Sequence, residues 1–181
     1  MQVSTILAQI DLGGIALPKF QRGFVWNREQ VRGLMDSLYR KHPIGSLLVW
    51  VTRTEEADTK GDIDLPPGSV KLLLDGQQRI TTLYGLINGK PPKFFDGNEK
   101  VISGLYFNLE EEIFEFYAAA KMQGKSLWIN VTELMQDGVG RHIIRIMSNP
   151  EFESKRELYA ERLNSIGQIK NIDLHIEEVT G

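Results

Sequence analysis

The 181-residue chain contains no cysteine. That excludes disulfides and cysteine-ligated zinc, and it fits a reducing compartment such as the cytoplasm. No apolar run approaches the roughly 20 residues that a membrane-spanning helix needs. The first residues, Met1 to Thr5, lack the basic start and apolar core of a signal peptide. No membrane partner is expected. Histidines number only three. His42, His142 and His175 do not have metal-ligand spacing, and His142, beside Arg141 and Arg145, is expected at a surface or interface. Three further motifs are missing: a Gly-x-x-x-x-Gly-Lys-Ser/Thr phosphate loop, a Gly-x-Ser-x-Gly elbow and a His-Glu-x-x-His pair. Nor is there a carboxylate cluster suited to a nuclease metal, so no metal ligand set is identified. Strong charge of one sign is also lacking. The net charge of −3 rules out a uniformly basic nucleic-acid surface.

What is present is ordinary for a globular domain: 41% hydrophobic and 25% charged residues, with no repeat or low-complexity segment. Charge is distributed unevenly. Residues 19–42 hold Lys19, Arg22, Arg28, Arg32, Arg40 and Lys41 against Glu29 and Asp36, whereas residues 52–69 are mostly acidic. The basic stretch is either a phosphate-attracting surface or a solvated helix face.

Residues 3–10 are a short helix or strand. Ile15 to Leu17 predict a strand ended by Pro18. Asn27 and Gln30 match a capping box, and Val31, Leu34, Met35, Leu38 and Tyr39 recur at helical spacing. That helix should stop near His42, because Pro43 disfavours helical geometry before it. Leu47–Val51 predict a central strand, and 52–69 a surface loop. Val70–Leu74 form the next strand, and the helix after it ends at Gly89. Leu105–Leu109 and Ile113–Tyr117 predict a hairpin with a solvated acidic turn at Glu110-Glu111-Glu112. Ser126–Val131 is a further strand, and helices fill the stretch to about Ile169. The fold class is mixed α/β. A small mixed sheet flanked by helices should occupy residues 1–135, with a helical appendage over 136–181.

The run Leu72-Leu73-Leu74-Asp75-Gly76-Gln77-Gln78-Arg79-Ile80-Thr81-Thr82 stands out. A buried strand turns through one glycine into a helix, and the turn carries three long polar side chains. Such a junction gathers free N–H groups and the positive end of a helix dipole, which suits an anion. Gly76 lets backbone approach a ligand closely, or is a plain turn glycine. Arg79 offers a planar fork to phosphate, or forms a salt bridge to Asp75 or Asp36. Gln77 and Gln78 can bridge phosphate, ribose or water, or cap the helix. Thr81 and Thr82 offer hydroxyls to a phosphate, or bond back to helix carbonyls. Asp75 orients Arg79 or Arg22, or touches magnesium through water. A second run, Leu17-Pro18-Lys19-Phe20-Gln21-Arg22-Gly23-Phe24-Val25-Trp26, brings Gln21 and Arg22 toward the same pocket. Phe20, Phe24 and Trp26 read as core aromatics, and Trp26 doubles as a candidate base contact. Lys19 is a solvated neighbour or a second phosphate contact.

These two runs, with Tyr39-Arg40-Lys41-His42-Pro43-Ile44-Gly45-Ser46 between them, closely resemble the GmrS-like N-terminal domain. That domain occurs in GmrSD-type modification-dependent restriction proteins and in SspE-like phosphorothioate-sensing antiphage proteins. The resemblance covers roughly residues 15–135. It implies a ParB/sulfiredoxin-like fold in which Gly76-Gln77-Gln78-Arg79 lies against nucleotide phosphates. It also implies NTP (GTP, ATP or UTP) with Mg2+ as cofactor, and a regulatory NTPase role gating a nuclease domain or subunit. On that basis the nucleotide set is Gln21, Arg22, Gly76, Gln77, Gln78, Arg79, Thr81 and Thr82, with Gln77, Gln78 and Asp75 as catalytic candidates. Lys19, Trp26, Arg28 and Arg32 are the candidate contacts to DNA or a modified base. The family's second polar motif, of Asn-Arg-x-Asn type, and its nuclease domain do not occur here. The chain is therefore expected to be a truncated piece with no cleavage activity of its own. Two other readings compete: a DNA-phosphate or modified-base module without nucleotide turnover, and a structural interaction domain.

Overall fold

The computed structural model describes residues 1–181 and is mixed α/β, as the sequence predicts. The ambiguous N-terminal segment is a helix, α1 (Val3–Asp11), because Val3, Ile6, Leu7 and Ile10 fall on one buried face. Strand β1 (Ile15–Ala16) is short. Helix α2 (Arg28–Tyr39) starts at the expected capping box: the Asn27 side chain accepts from the Gln30 N–H and the Gln30 side chain from the Asn27 N–H. The chain leaves α2 through Lys41, which takes a left-handed φ of 60°.

Strand β2 (Leu47–Arg53) runs two residues past its expected end, and residues 54–56 add a 3-10 turn. Strand β3 (Ser69–Asp75) feeds helix α3 (Gln77–Asn88) through Gly76 alone. Helix α3 takes in the two glutamines and the arginine as its first turn, and Gly89 closes it at φ 75°. The first sheet has the order β1-β3-β2-β7, where β7 (Ile176–Thr180) lies parallel to β2. The 136–181 stretch, expected to be helical, thus ends in a strand, and β7 makes β2 an interior strand. β3 pairs antiparallel with β2, and the register slips so that Leu48 faces Asp75 while Val49 faces Leu73. Leu74 is therefore the extra residue of a bulge, left out of the ladder.

A second antiparallel sheet, not foreseen as separate, has the order β5-β4-β6. It consists of β4 (Leu105–Asn108), β5 (Ile113–Phe116) and, after the short helix α4 (Ala119–Met122), β6 (Trp128–Asn130). Helices α5 (Val131–Asp137), α6 (Val139–Ser148) and α7 (Arg156–Gly167) complete the chain before β7. One cluster of buried side chains joins both sheets to these helices. Ile146, Leu163, Ile166 and Ile169 pack into the same core as Val31, Leu73 and Phe107.

Two expectations need correction, and one is met with an addition. The acidic turn is solvated at Glu110 and Glu111 as expected, and it is also tied to the rest of the chain. The Tyr39 hydroxyl donates to Glu112 at 2.8 Å, Tyr159 and Lys155 both bond to Glu110, and Arg162 donates to the Leu109 carbonyl at 2.7 Å. The turn is the post on which α7 docks. Phe20 is no core residue but 73% exposed, whereas Phe24 is buried against Phe95. Strand alternation broke at Pro18, so the aromatic spacing there carried no facing information. His142 is buried rather than at the surface, and its Nε2 is enclosed without a hydrogen-bond partner. Burial, then the nearby Arg145, holds its pKa below the ordinary 6.5.

Candidate functional site

The two motifs meet. A cavity of about 260 Å³ is lined by Gln21, Arg22 and Trp26 from one loop and by Leu74 to Arg79 from the β3–α3 junction. Gly76 is obligatory at that junction. Its φ is 102°, and a Cβ there would lie 2.2 Å from a Leu47 methyl. No side chain other than hydrogen fits that approach. The first-turn N–H groups of α3 have no partner within the helix and face its N-terminal end, so the positive end of the α3 dipole opens onto the cavity.

Side-chain amides fasten the Phe20–Trp26 loop to this junction. Gln78 Oε1 accepts from the N–H groups of Val25 (2.9 Å) and Trp26 (3.2 Å), and its Nε2 donates to the Gly23 carbonyl at 3.3 Å. Gln77 Nε2 donates to the Arg22 carbonyl at 2.7 Å. Gln21 Nε2 donates to the Leu74 carbonyl at 3.0 Å, so the bulge supplies an acceptor that the ladder would otherwise have used. A Gln offers both a donor and an acceptor, so Gln78 grips a loop segment of four residues. The loop has little other secondary structure to order it.

Arg79 turns away from the loop toward a third segment. Its Nη1 donates to the Ile44 carbonyl at 2.7 Å and its Nη2 to the Ser46 carbonyl at 3.0 Å. The predicted ion pair with Asp75 is long, 3.8 Å, and the Asp75 carboxylate is 74% exposed. Arg79 thus secures the α2–β2 turn while still bordering the cavity. Arg22 is the exposed cation at the cavity and enters no ion pair. Thr82 Oγ1 donates back to the Gln78 carbonyl at 2.8 Å, and Thr81 Oγ1 is buried without a partner. Neither lines the cavity.

Most of the proposed DNA contacts are not gathered there. Arg28 lies over the Phe116 ring at 4.6 Å, and Arg32 Nε donates to the Phe114 carbonyl at 2.7 Å, so both hold β5 against α2. Lys19 sits 3.8 Å from Asp58. Arg40 is paired with Asp36 at 2.9 Å. Trp26 alone of that set borders the cavity. The partners that sequence reasoning missed are backbone groups: the carbonyls of Arg22, Gly23, Ile44, Ser46 and Leu74, and the N–H groups of Val25 and Trp26. Backbone groups carry no residue signature, so only the surplus of polar side-chain atoms in Gln21, Gln77, Gln78 and Arg79 hinted at them. No group of three or more acidic or histidine side chains is placed to hold a metal ion.

The family model described as GmrSD restriction endonuclease, N-terminal domain, matches residues 3–178. The chain belongs to that family. The match reaches well beyond the 15–135 stretch that carries the motifs, and so takes in α6, α7 and β7. An uncharacterized protein, MJ0686, of Methanocaldococcus jannaschii is 37% identical over 82 residues. The aligned part is 40% of this chain and 14% of that protein, so the similarity spans a small part of the relative's length. No helix is long and apolar enough to cross a membrane.

Proposed function

We propose that this domain of the GmrSD family binds a nucleoside triphosphate in the Gln21–Arg79 cavity and serves as the regulatory part of a modification-dependent restriction protein. The observation that carries the reading is a polar cavity at the N-terminus of α3 with one unpaired cation, Arg22, at its edge. Free first-turn amides and a guanidinium are the donors that phosphate oxygens require. Arg22 and the α3 amides hold the phosphates. Gln78 and Arg79 are positioning residues, because their polar atoms are largely committed to backbone. Gln77 keeps its Oε1 for a ribose hydroxyl or an attacking water.

Magnesium fits in one way. It arrives on the phosphates, which with water supply most of its oxygen ligands, and Asp75 contributes a single carboxylate at the rim. Bound there, it would neutralise phosphate charge. Any hydrolysis by the chain's own groups rests on electrostatic stabilisation of the γ-phosphoryl oxygens by Arg22 and the helix amides. Nucleotide state then biases a nuclease elsewhere in the assembly, through contacts that differ between states.

The exposed Phe20 beside Arg22 supports a second reading, in which the same edge holds a DNA phosphate with a base against the ring. Thermal unfolding with each NTP plus magnesium, on wild type and Arg22→Ala, separates them. A ligand that binds only the folded state raises its melting temperature. A rise with one NTP that Arg22→Ala abolishes supports the nucleotide reading. No rise with any NTP, together with salt-sensitive binding of a DNA oligonucleotide, replaces it with the second.

A further inference from the structure

We propose that the cavity between the 41–45 turn and residues 172–175 is a second ligand site, which takes a small organic anion with an apolar body. At about 510 Å³ it is larger than the polar cavity and shares no lining residue with it. Its volume lies within the range of small-molecule sites. The inference therefore stands apart from the nucleotide reading.

The floor is apolar: Leu38 from α2, Ile44 from the turn, and Ile172 and Leu174 from the approach to β7. The rim carries the Lys41 ammonium beside the imidazoles of His42 and His175. Lys41 forms no ion pair, unlike Lys19 and Arg40 in the same basic stretch. Asp173 is the one acid at the rim, and the Met1 ammonium lies 3.8 Å from it, which offsets its charge. His175 has Glu177 at 3.9 Å. An apolar floor under a rim that carries an ammonium selects a ligand with the reverse arrangement: a ring or chain that leaves water and one carboxylate or phosphate left at the mouth.

Both walls are held before any ligand arrives. On one side Arg79 fixes the carbonyls of Ile44 and Ser46, and the His42 N–H donates to the Ser37 carbonyl at 2.8 Å. On the other side the Leu47 N–H donates to the His175 carbonyl at 2.9 Å, and the Leu174 N–H to the Met1 carbonyl at 2.8 Å. Little ordering cost is left for binding, which is the condition for useful affinity in a small site.

The test uses 1-naphthylacetate as probe and its neutral amide as control, followed by amide chemical shifts in 15N-labelled protein. The expected result is saturable shifts at Lys41, His42, Ile44, Gly45, Leu174 and His175, with the neutral amide binding about fivefold more weakly. Two variants follow. Ile44→Trp fills the cavity and should abolish the shifts. Lys41→Gly removes the rim charge at a left-handed position that glycine tolerates, so the fold is kept while affinity for the carboxylate drops about fivefold. Absence of shifts at millimolar probe, shifts centred elsewhere, or equal binding of acid and amide by wild type would overturn the proposal.

Discussion

Replacing Arg79 by alanine should damage the fold before it touches any ligand. The guanidinium makes two bonds to backbone carbonyls, 2.7 Å to Ile44 and 3.0 Å to Ser46, and its side chain is only 15% exposed. A hydrogen bond from a charged donor contributes about 1.5–3 kcal/mol, and loss of two sets a ceiling of about 3–6 kcal/mol. The α2–β2 turn is partly open to water, so its carbonyls are rehydrated in the variant, and the net loss should be about 2–3 kcal/mol. The Asp75 contact adds little: at 3.8 Å, with Asp75 mostly exposed, it is worth at most about 1 kcal/mol. Urea unfolding followed by far-ultraviolet circular dichroism measures this directly. Arg79→Lys should recover only part of the loss, because an ammonium cannot span both carbonyls as a planar fork does. Asp75→Asn should stay within about 0.5 kcal/mol of wild type. If Arg79→Ala also stays within about 0.5 kcal/mol, the turn does not depend on the fork and the positioning role is wrong.

Gly76→Ala places a methyl against Leu47 at a left-handed backbone. It should cost about 2–4 kcal/mol in the same assay, and a loss under about 1 kcal/mol would mean that the β3–α3 junction relaxes freely. Gln78→Ala releases both N–H groups of Val25 and Trp26. Hydrogen exchange at those two amides should quicken by at least about tenfold, the equivalent of one lost hydrogen bond, and unchanged exchange would show that other contacts order the loop. His142 is held below its ordinary 6.5 by burial and Arg145. The unfolded chain therefore takes up the proton first, and stability falls as pH drops below 6.5. His142→Leu should flatten that limb of the pH–stability curve. Glu110 is lowered from 4.5 chiefly by Lys155, then by Tyr159. Its contribution is complete above 4.5 and disappears as pH falls through the lowered value, so Glu110→Gln should flatten the acid limb, and an unchanged limb would dismiss the assignment.

The local features were legible because their causes are local. The capping box at Asn27, the glycine between β3 and α3, and the stop at Gly89 are each set by residues within one turn of the chain. The expectation that Gln21 and Arg22 face the pocket of Arg79 rests on their place just after a strand and just before a capped helix, and both runs line one cavity. What the partners were could not be read, since Arg79 and Gln78 chose carbonyls and N–H groups that every residue owns. The acidic turn is solvated at Glu110 and Glu111, as its charge predicts, but its bonds to the rest of the chain were not legible. Its partners Tyr39, Lys155 and Arg162 lie up to 73 positions away. The charge count of the basic stretch allows a phosphate-attracting surface or a solvated helix face, whereas Arg28 and Arg32 are turned onto the β5 strand by packing that no charge count reveals. Phe20 shows the same limit for aromatics: its neighbour Phe24 is buried, and only the path of the loop decides which of the two faces water.

The parallel pairing of β2 with β7 has a kinetic consequence. Position 47 aligns with position 176, so one edge of the apolar run Leu47-Leu48-Val49-Trp50-Val51 stays open until nearly the whole domain has been synthesised. Closing so long a loop is slow, and ribosomes deliver residues at about 5–20 per second. For several seconds the nascent domain presents an unpaired edge of high strand propensity, the kind of template on which chains aggregate. Expression at lower temperature, or with a chaperone that shields strand edges, should raise the soluble yield of this domain more than that of one whose central strands pair with near neighbours.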